Sequence, residues 1–312
     1  MLTQAQMSKM LMCPSGPVDM VLDTDAYNEI DDQYAIAYAV RAKEKLCVKA
    51  FYAAPFTNQL SSGPADGMEK SFHEIKQVLK LAGEGGYPVF RGSQMYLPDE
   101  KTPVLSDAAR DLAERAMAYT PERPLYAVSI AAITNIASAL LLKPEIADRI
   151  VVVWTGCHAP HWEDNYEFNC RQDIAAARAV FDSGVPLVIL PAQGIVSSFT
   201  TTGPELEHWL KGRNQLCDYL VDRTVSAGSE GAEGRPWSRT IWDVTAVGWL
   251  MNDEKKQLIR DRTVPRPIPE YSHYLSWDLR RPPCKMVYHI NRDGLLYDLF
   301  SHIAPEGREK HA

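Results

Sequence analysis

The sequence predicts an α/β protein built on a single open, mostly parallel central sheet flanked by helices. Three observations lead there. Short Val- and Ile-rich runs alternate with stretches of helical periodicity. Two of those runs, Ile150–Thr155 and Leu187–Leu190, are apolar throughout, as in strands buried on both faces. No internal repeat, low-complexity tract or linker divides the 312 residues, which suffice for one full core. Residues 1–15 read as a ragged extension and 16–312 as one domain.

The elements follow in order. Val18–Leu22 is a strand, and the good helix formers over Asp32–Glu44 predict a helix. Cys47–Ala54 is a second strand, stopped by Pro55. Over Gly67–Gly83, Phe72, Ile75, Val78 and Leu79 share one helix face, with Lys70, Glu74, Lys76 and Lys80 on the other. Leu105–Tyr119 is a further helix, Leu125–Ile130 a strand and Thr134–Leu142 a helix. Ala175–Phe181 is a helix between the two apolar strands, Asp243–Leu250 a late helix and Val287–Ile290 a late strand. Gly228–Pro236, with three glycines and a proline, reads as a surface loop or a flap.

The chemistry concentrates after the first strand. Asp23, Asp25, Asp31 and Asp32, with Glu29, crowd into ten positions behind an apolar run. Carboxylates at a strand end aim at one place and repel each other, so a cation between them is expected; hard oxygen ligands favour Mg²⁺ or Ca²⁺. Ligands of open parallel sheets bind beyond the carboxyl ends of the strands. The other predicted strand ends carry Thr57-Asn58, Thr134-Asn135, and a loop with His158, His161, Asp164, Asn165, Glu167 and Asn169; Trp242-Asp243 opens the late helix. Alone, Asp243 reads as a helix N-terminal acid, Thr134 as an N-cap and Glu167 with Asn169 as a strand edge. Together they make a ring of oxygen ligands around one point.

These residues resemble the inosine/uridine-preferring nucleoside hydrolases. That family carries Asp-x-Asp at a strand end, then Asp-Asp-x-x-Ala; here these are Asp23-Thr24-Asp25 and Asp31-Asp32-Gln33-Tyr34-Ala35. Ile133-Thr134-Asn135 matches its Leu-Thr-Asn turn, Glu167-Phe168-Asn169 its Glu-Phe-Asn, and Asp243 its late helix-opening acid. The order and approximate spacing match from residue 18 to about 250. The resemblance implies a Rossmann-like fold and Ca²⁺-dependent hydrolysis of ribonucleosides to ribose and free base. It implies one Ca²⁺ held by Asp25, Asp32, Asp243 and the Thr134 carbonyl, with Asp23 behind them. It makes Asp25 the general base for a metal-bound water. Asp31, Asn58 and Asn169 would hold the ribose 2′ and 3′ hydroxyls, and Glu167 with Asn165 the 5′ hydroxyl. A homodimer or homotetramer is implied as well. Carboxylates around a sugar that gains oxocarbenium character suit that chemistry.

The chain departs from the family pattern twice. Ala26–Ile30 adds two residues between the second and third aspartates; Asn28 and Glu29 either reach into the site or form a turn facing solvent. Trp242 stands where many members have a histidine that can protonate the leaving base. Tryptophan can stack on a base but cannot protonate it. His158, His161, His273 and Tyr271 are the candidate acids, the alternative being a base that leaves without one; Trp154, Trp162 and Trp237 are candidate base-pocket residues, with core packing the simpler role for Trp154.

A net charge of −7 without a dominant basic patch argues against a nucleic-acid partner. Six scattered cysteines without a CxxC pair argue against a zinc site or disulfide framework and for a reducing compartment. No run approaches the ~18 apolar residues of a membrane span, so a cytoplasmic protein without a membrane partner is expected. Two other readings stand beside the hydrolase: a non-catalytic nucleoside- or ribosyl-binding protein on the same scaffold, and a Mg²⁺-dependent haloacid-dehalogenase-like phosphatase. The phosphatase wants Thr or Val where this chain has Tyr27.

Overall fold

The computed structural model describes residues 2–304; the last eight residues of the predicted 16–312 domain lie outside them. Its central sheet comprises β1 (Val18–Thr24), β2 (Leu46–Ala53), β3 (Val89–Arg91), β4 (Leu125–Ser129), β5 (Ile150–Thr155), β6 (Leu187–Leu190), β7 (Ile259–Pro265) and β8 (Pro283–Ile290). Their spatial order is β3-β2-β1-β4-β5-β6-β8-β7, and every neighbouring pair is parallel except β8 with β7. Side chains alternate across the sheet. Met20, Leu22, Val128 and Val153 enter one hydrophobic core, while Val21, Ala127, Val152 and Trp154 enter the other. Both faces are apolar and buried, which is why the strands read as unbroken apolar runs.

Eleven helices are described: α1 (Gln4–Met10), α2 (Asp32–Arg41), α3 (Pro64–Leu81), α4 (Asp107–Arg115), α5 (Thr134–Leu142), α6 (Phe168–Gln172), α7 (Ile174–Asp182), α8 (Gly203–Trp209), α9 (Gln215–Ala232), α10 (Val244–Met251) and α11 (Arg292–Ile303). Residues from α2, α3, α9, α10 and α11 form the first core, and those from α4, α5 and α7 the second. The chain order reverses between β1 and β4, so the first crossovers diverge there and leave a crevice at their carboxyl ends.

Four expectations need correction. The segment expected as a ragged extension is ordered over residues 3–11: Thr3 caps α1 with a reciprocal Gln6 bond, and Met10 and Leu11 are buried in the core. The glycine-rich stretch Gly228–Pro236 is helical as far as Ala232, and α9 closes on the left-handed Glu233. Gly228 and Gly203 instead make room for the Trp237 ring. Glu74, expected on the polar face of α3, is buried and accepts from Gln33 Nε2 (3.1 Å) and the Tyr219 hydroxyl. The predicted helix Leu105–Tyr119 begins only at Asp107, where the Ser106 hydroxyl accepts from the Ala109 N–H, and ends in a short 3₁₀ turn at Ala116–Ala118. The antiparallel β7 and helices α9 and α11 had no sequence expectation.

Gly92, next after β3, lies where a Cβ would collide with the Ala53 carbonyl and the Asn135 side-chain amide. Gly92→Ala is expected to cost about 1–3 kcal/mol through overpacking and to lower the melting temperature in a thermal scan. An unchanged transition would mean that this junction yields freely.

Candidate active site

The site begins with Asp23 on β1. Its carboxylate is fully buried and accepts from the Ser129 hydroxyl on β4 (3.0 Å) and from Asn135 Nδ2 on α5 (2.8 Å). Asn135 Oδ1 accepts in turn from the Ser93 N–H (2.8 Å) and hydroxyl (2.9 Å). Asp23 therefore ties the ends of β1 and β4 to the start of α5. The strand then turns, and the chain re-enters at α2.

Beyond it, Asp25, Asp31, Asp32 and Asp243 are all buried. One carboxylate oxygen from each of Asp31, Asp32 and Asp243 lies within 4.8 Å of the others. Asp31 and Asp243 precede α2 and α10, in the position where an acid usually caps, yet neither carboxylate makes a capping bond. Asp31 Oδ2 instead accepts from the Asp243 N–H (3.3 Å), drawing the two helix starts together. The Thr24 hydroxyl donates to Asp32 Oδ1. Both Asp25 oxygens and Asp32 Oδ2 are buried without a hydrogen-bond partner.

The electrostatics follow from that enclosure. Burial, and then repulsion from Asp32 and Asp31, raises the Asp25 pKa well above the ordinary carboxylate value. Asp243 is raised by burial and by Asp31 and Asp32. Burial also pushes Asp23 and Asp32 up to about 7, although their hydroxyl and amide donors pull the other way. The basic group facing Asp31 is Arg239, which is paired with Glu29 at 2.8 Å. Acceptors enclosed this way at helix N-termini form a cradle for a hard cation. The residues present fit one: three carboxylate oxygens converge, and three buried carboxylate oxygens on Asp25 and Asp32 have no partner.

Against this cluster lies a cavity of about 290 Å³, close to the lower end of the ~300–1,000 Å³ typical of small-ligand sites. Asp31, Asp243, Trp242, Thr155, Glu167, Phe168 and Asn169 line it, along with Asn28, Glu29, His158, Gln193 and Arg171. Asp25, Asp32 and Thr134 are buried and do not line it. Thr134 is the first residue of α5 rather than its cap, and its hydroxyl donates to Asp173 (2.7 Å).

Glu167 is the N-cap of α6. Its oxygens accept from the backbone N–H groups of Asn169 (3.0 Å), Cys170 (2.7 Å) and Cys157 (3.1 Å), and burial raises its pKa to about 7. Asn169 Nδ2 donates to the Thr155 carbonyl (3.0 Å), which leaves Asn169 Oδ1 buried and unpartnered. Asn165 does not line the cavity; it accepts from the His158 N–H (2.8 Å) and bonds Cys170 Sγ (3.4 Å), bracing the loop. Asn58 does not line the cavity either, and its amide is bonded to Asn28.

Of the four alternative acids, His158 lines the cavity. Its Nδ1 accepts from the Gln193 N–H (3.3 Å), which puts the ring proton on Nε2, and burial lowers its pKa. His161 sits against Gly194, His273 packs edge-on to Tyr166, and the exposed Tyr271 hydroxyl donates to Glu100. Trp154 is core, meeting Phe181 edge to face; Trp162 meets His158 edge-on outside, and Trp237 packs on α9. Three features escaped the sequence: the Cys157 and Cys170 sulfurs approach to 3.9 Å, Arg171 reaches the cavity, and Cys157 adopts φ = 65° at the end of β5. The left-handed cysteine left no signal in the pattern.

The raised carboxylates imply a pH-dependent stability. A folded-state pKa above the unfolded one means that folding retains a proton, so the stability is present below the unfolded value and lost as pH rises through the folded value. For Asp23, Asp32 and Glu167 that window runs from about 4 to about 7. Metal-free protein should therefore melt at least about 5 °C lower at pH 8 than at pH 5, and a hard divalent cation at millimolar concentration should reverse the loss at pH 8. Equal melting temperatures at both pH values without metal would contradict this account.

Comparison with known proteins agrees with this architecture. The family model for inosine-uridine preferring nucleoside hydrolase matches residues 20–294. A non-specific ribonucleoside hydrolase, RihC, from Salmonella paratyphi B is 25% identical over 267 residues, covering 77% of this chain and 80% of the relative. The purine-preferring ribonucleoside hydrolase from Gardnerella vaginalis superposes with a TM-score of 0.74 at 18% identity, over 92% of this chain and 98% of that one. The type III effector protein XopQ, solved with adenosine diphosphate ribose, superposes with a TM-score of 0.70 at 18% identity, over 98% and 99%. With the motifs of the sequence and the match over residues 20–294, the chain belongs to the inosine-uridine preferring nucleoside hydrolase family and is an N-glycosyl hydrolase acting on ribonucleosides.

Proposed function

We propose that this enzyme hydrolyses the N-glycosidic bond of ribonucleosides with one Ca²⁺ held by Asp25, Asp32, Asp243 and the Thr134 carbonyl, and with Asp25 as general base. The observation that carries it is the buried Asp25 carboxylate, both oxygens without a partner, beside the convergent oxygens of Asp31, Asp32 and Asp243. When bound, such a cation would lower the pKa of a water molecule and polarise vicinal hydroxyls.

The protein's own groups do the remainder. Asp25 accepts the proton of the attacking water. Its own pKa, raised in the absence of a cation, falls once positive charge stands beside it. Asp31 and Asn169 accept from the 2′ and 3′ hydroxyls; the unpartnered Asn169 Oδ1 supports this. Glu167 uses three of its lone-pair positions on backbone N–H groups and keeps one for the 5′ hydroxyl, while Asn165 braces the loop that carries it. These carboxylates sit where the ribosyl ring gains positive charge, which favours the transition state over the neutral substrate. Trp242 stacks on the base. Neutral His158, whose Nε2 proton makes no hydrogen bond to a described residue although Asp164 Oδ1 stands 3.9 Å away, assists the leaving base. The enzyme is read as cytoplasmic and as a homodimer or homotetramer.

The non-catalytic ribosyl-binding reading draws on Trp242 and on the likeness to an effector solved with adenosine diphosphate ribose. Release of free base from adenosine, inosine, uridine and cytidine under Ca²⁺ decides between them. Asp25→Asn should keep its circular dichroism spectrum and lose roughly 10²–10⁴-fold in kcat. It should also raise the melting temperature of metal-free protein at pH 8, because one buried repulsive charge is gone. Full activity in this variant would remove Asp25 as the base. His158→Gln should slow purine release by about 10-fold or more, whereas an unchanged rate would leave the departing base without that proton.

A further inference from the structure

We propose that Asn28, in the loop between β1 and α2, is the residue that donates to a ribosyl hydroxyl, and that Asn58 is the positioning residue behind it. This rests on the ribosyl reading of the cavity. Asn28 lines the cavity with Asp31 and Asp243; Asn58 does not.

The orientation of both amides follows from one backbone donor. The Leu60 N–H donates to Asn58 Oδ1 (2.7 Å), so the other end of that amide is the NH₂. Asn58 Nδ2 then donates to the Asn28 carbonyl (3.2 Å) and to Asn28 Oδ1 (2.7 Å). Both of its protons are spent, and it has no donor left for a ligand. Asn28 Oδ1 is thereby fixed as an acceptor. Its Nδ2 makes no hydrogen bond to any described residue.

That free donor complements the acceptors that line the cavity with it. The carboxylates of Asp31 and Asp243 and the Asn169 Oδ1 are acceptors. A sugar hydroxyl has one proton to donate and lone pairs to fill, so it needs a donor as well as a carboxylate. The loop is also rigid. Its Asn28 N–H donates to the Asp25 carbonyl (2.7 Å), and Gln33 Nε2 donates to the Ala26 carbonyl (2.7 Å) and to buried Glu74 (3.1 Å). Tyr27 lies under the Lys70 and Arg223 cations, and Glu29 is held by Arg239. The two extra residues of this loop thus present a preorganised amide.

Asn28→Asp separates contact from structure. It keeps the acceptor that Asn58 needs and turns the uncommitted donor into an acceptor. Wild type, N28A, N28D and N58A, each loaded with Ca²⁺, would be titrated calorimetrically with ribose, 2-deoxyribose and 3-deoxyribose. Base release would be measured in parallel on adenosine and its 2′- and 3′-deoxy forms. N28A and N28D should each weaken ribose binding by about 10-fold or more, and that penalty should vanish for one of the deoxy sugars. N58A should show a smaller penalty that shrinks on the same deoxy sugar. Wild-type behaviour in N28D, or a penalty equal on all sugars, overturns the assignment. Coupling in N58A and not in N28A reverses the roles and equally overturns it. Asn28-dependent ribose binding without base release by wild type would sink the hydrolytic reading and leave this one standing; no ribose binding by wild type would sink both.

Discussion

Buried like charges govern this structure. Asp25, Asp31, Asp32 and Asp243 share a small enclosed volume in which no lysine or arginine among the described residues pairs with them directly. In such surroundings each carboxylate resists ionisation, and each raises the others. The fold makes the arrangement tolerable in two ways. Asp31 and Asp243 stand at helix starts, where the helix dipole favours negative charge. Thr24, Ser129 and Asn135 each spend a donor on the carboxylates next to them. What is left unsatisfied is an inward-facing set of oxygens suited to a hard cation.

The scaffold behind the cluster is ordinary for a doubly wound sheet, and its specialisation lies in how neighbouring ends are tied together. Asn135 bonds Asp23 and Ser93, and Asp173 bonds Thr134 and the Leu97 N–H (2.9 Å). Glu167 gathers three backbone N–H groups from two segments. Each polar residue near the cavity thus holds another in place, which allows the site to be rigid before anything binds.

Residues of similar type have divided into those that face the cavity and those that brace it. Asn169 keeps an unpartnered oxygen inside, while Asn165 is consumed by His158 and Cys170. Trp242 lines the cavity, while Trp154 is locked in the core by its bond to the Ala131 carbonyl (3.0 Å). The same division separates Asn28 from Asn58.

The sequence by itself determined the parallel sheet, the position of the acids and the family. Strands buried on both faces must be apolar along their whole length, and a spaced set of aspartates behind such a strand has few uses other than charge or metal chemistry. It could not determine that Glu74 is buried, that Gly203 and Gly228 seat Trp237, or that Met10 and Leu11 dock on the core, because each depends on a partner distant in the chain. Nor could it decide which way the loop of Asn28 and Glu29 faces. That is settled by Gln33, Glu74, Arg239 and Asn58, which meet the loop only after the sheet and its helices have assembled. Local pattern reports burial and periodicity; the direction of a single amide is fixed by which donors and acceptors the tertiary fold brings within about 3 Å of it.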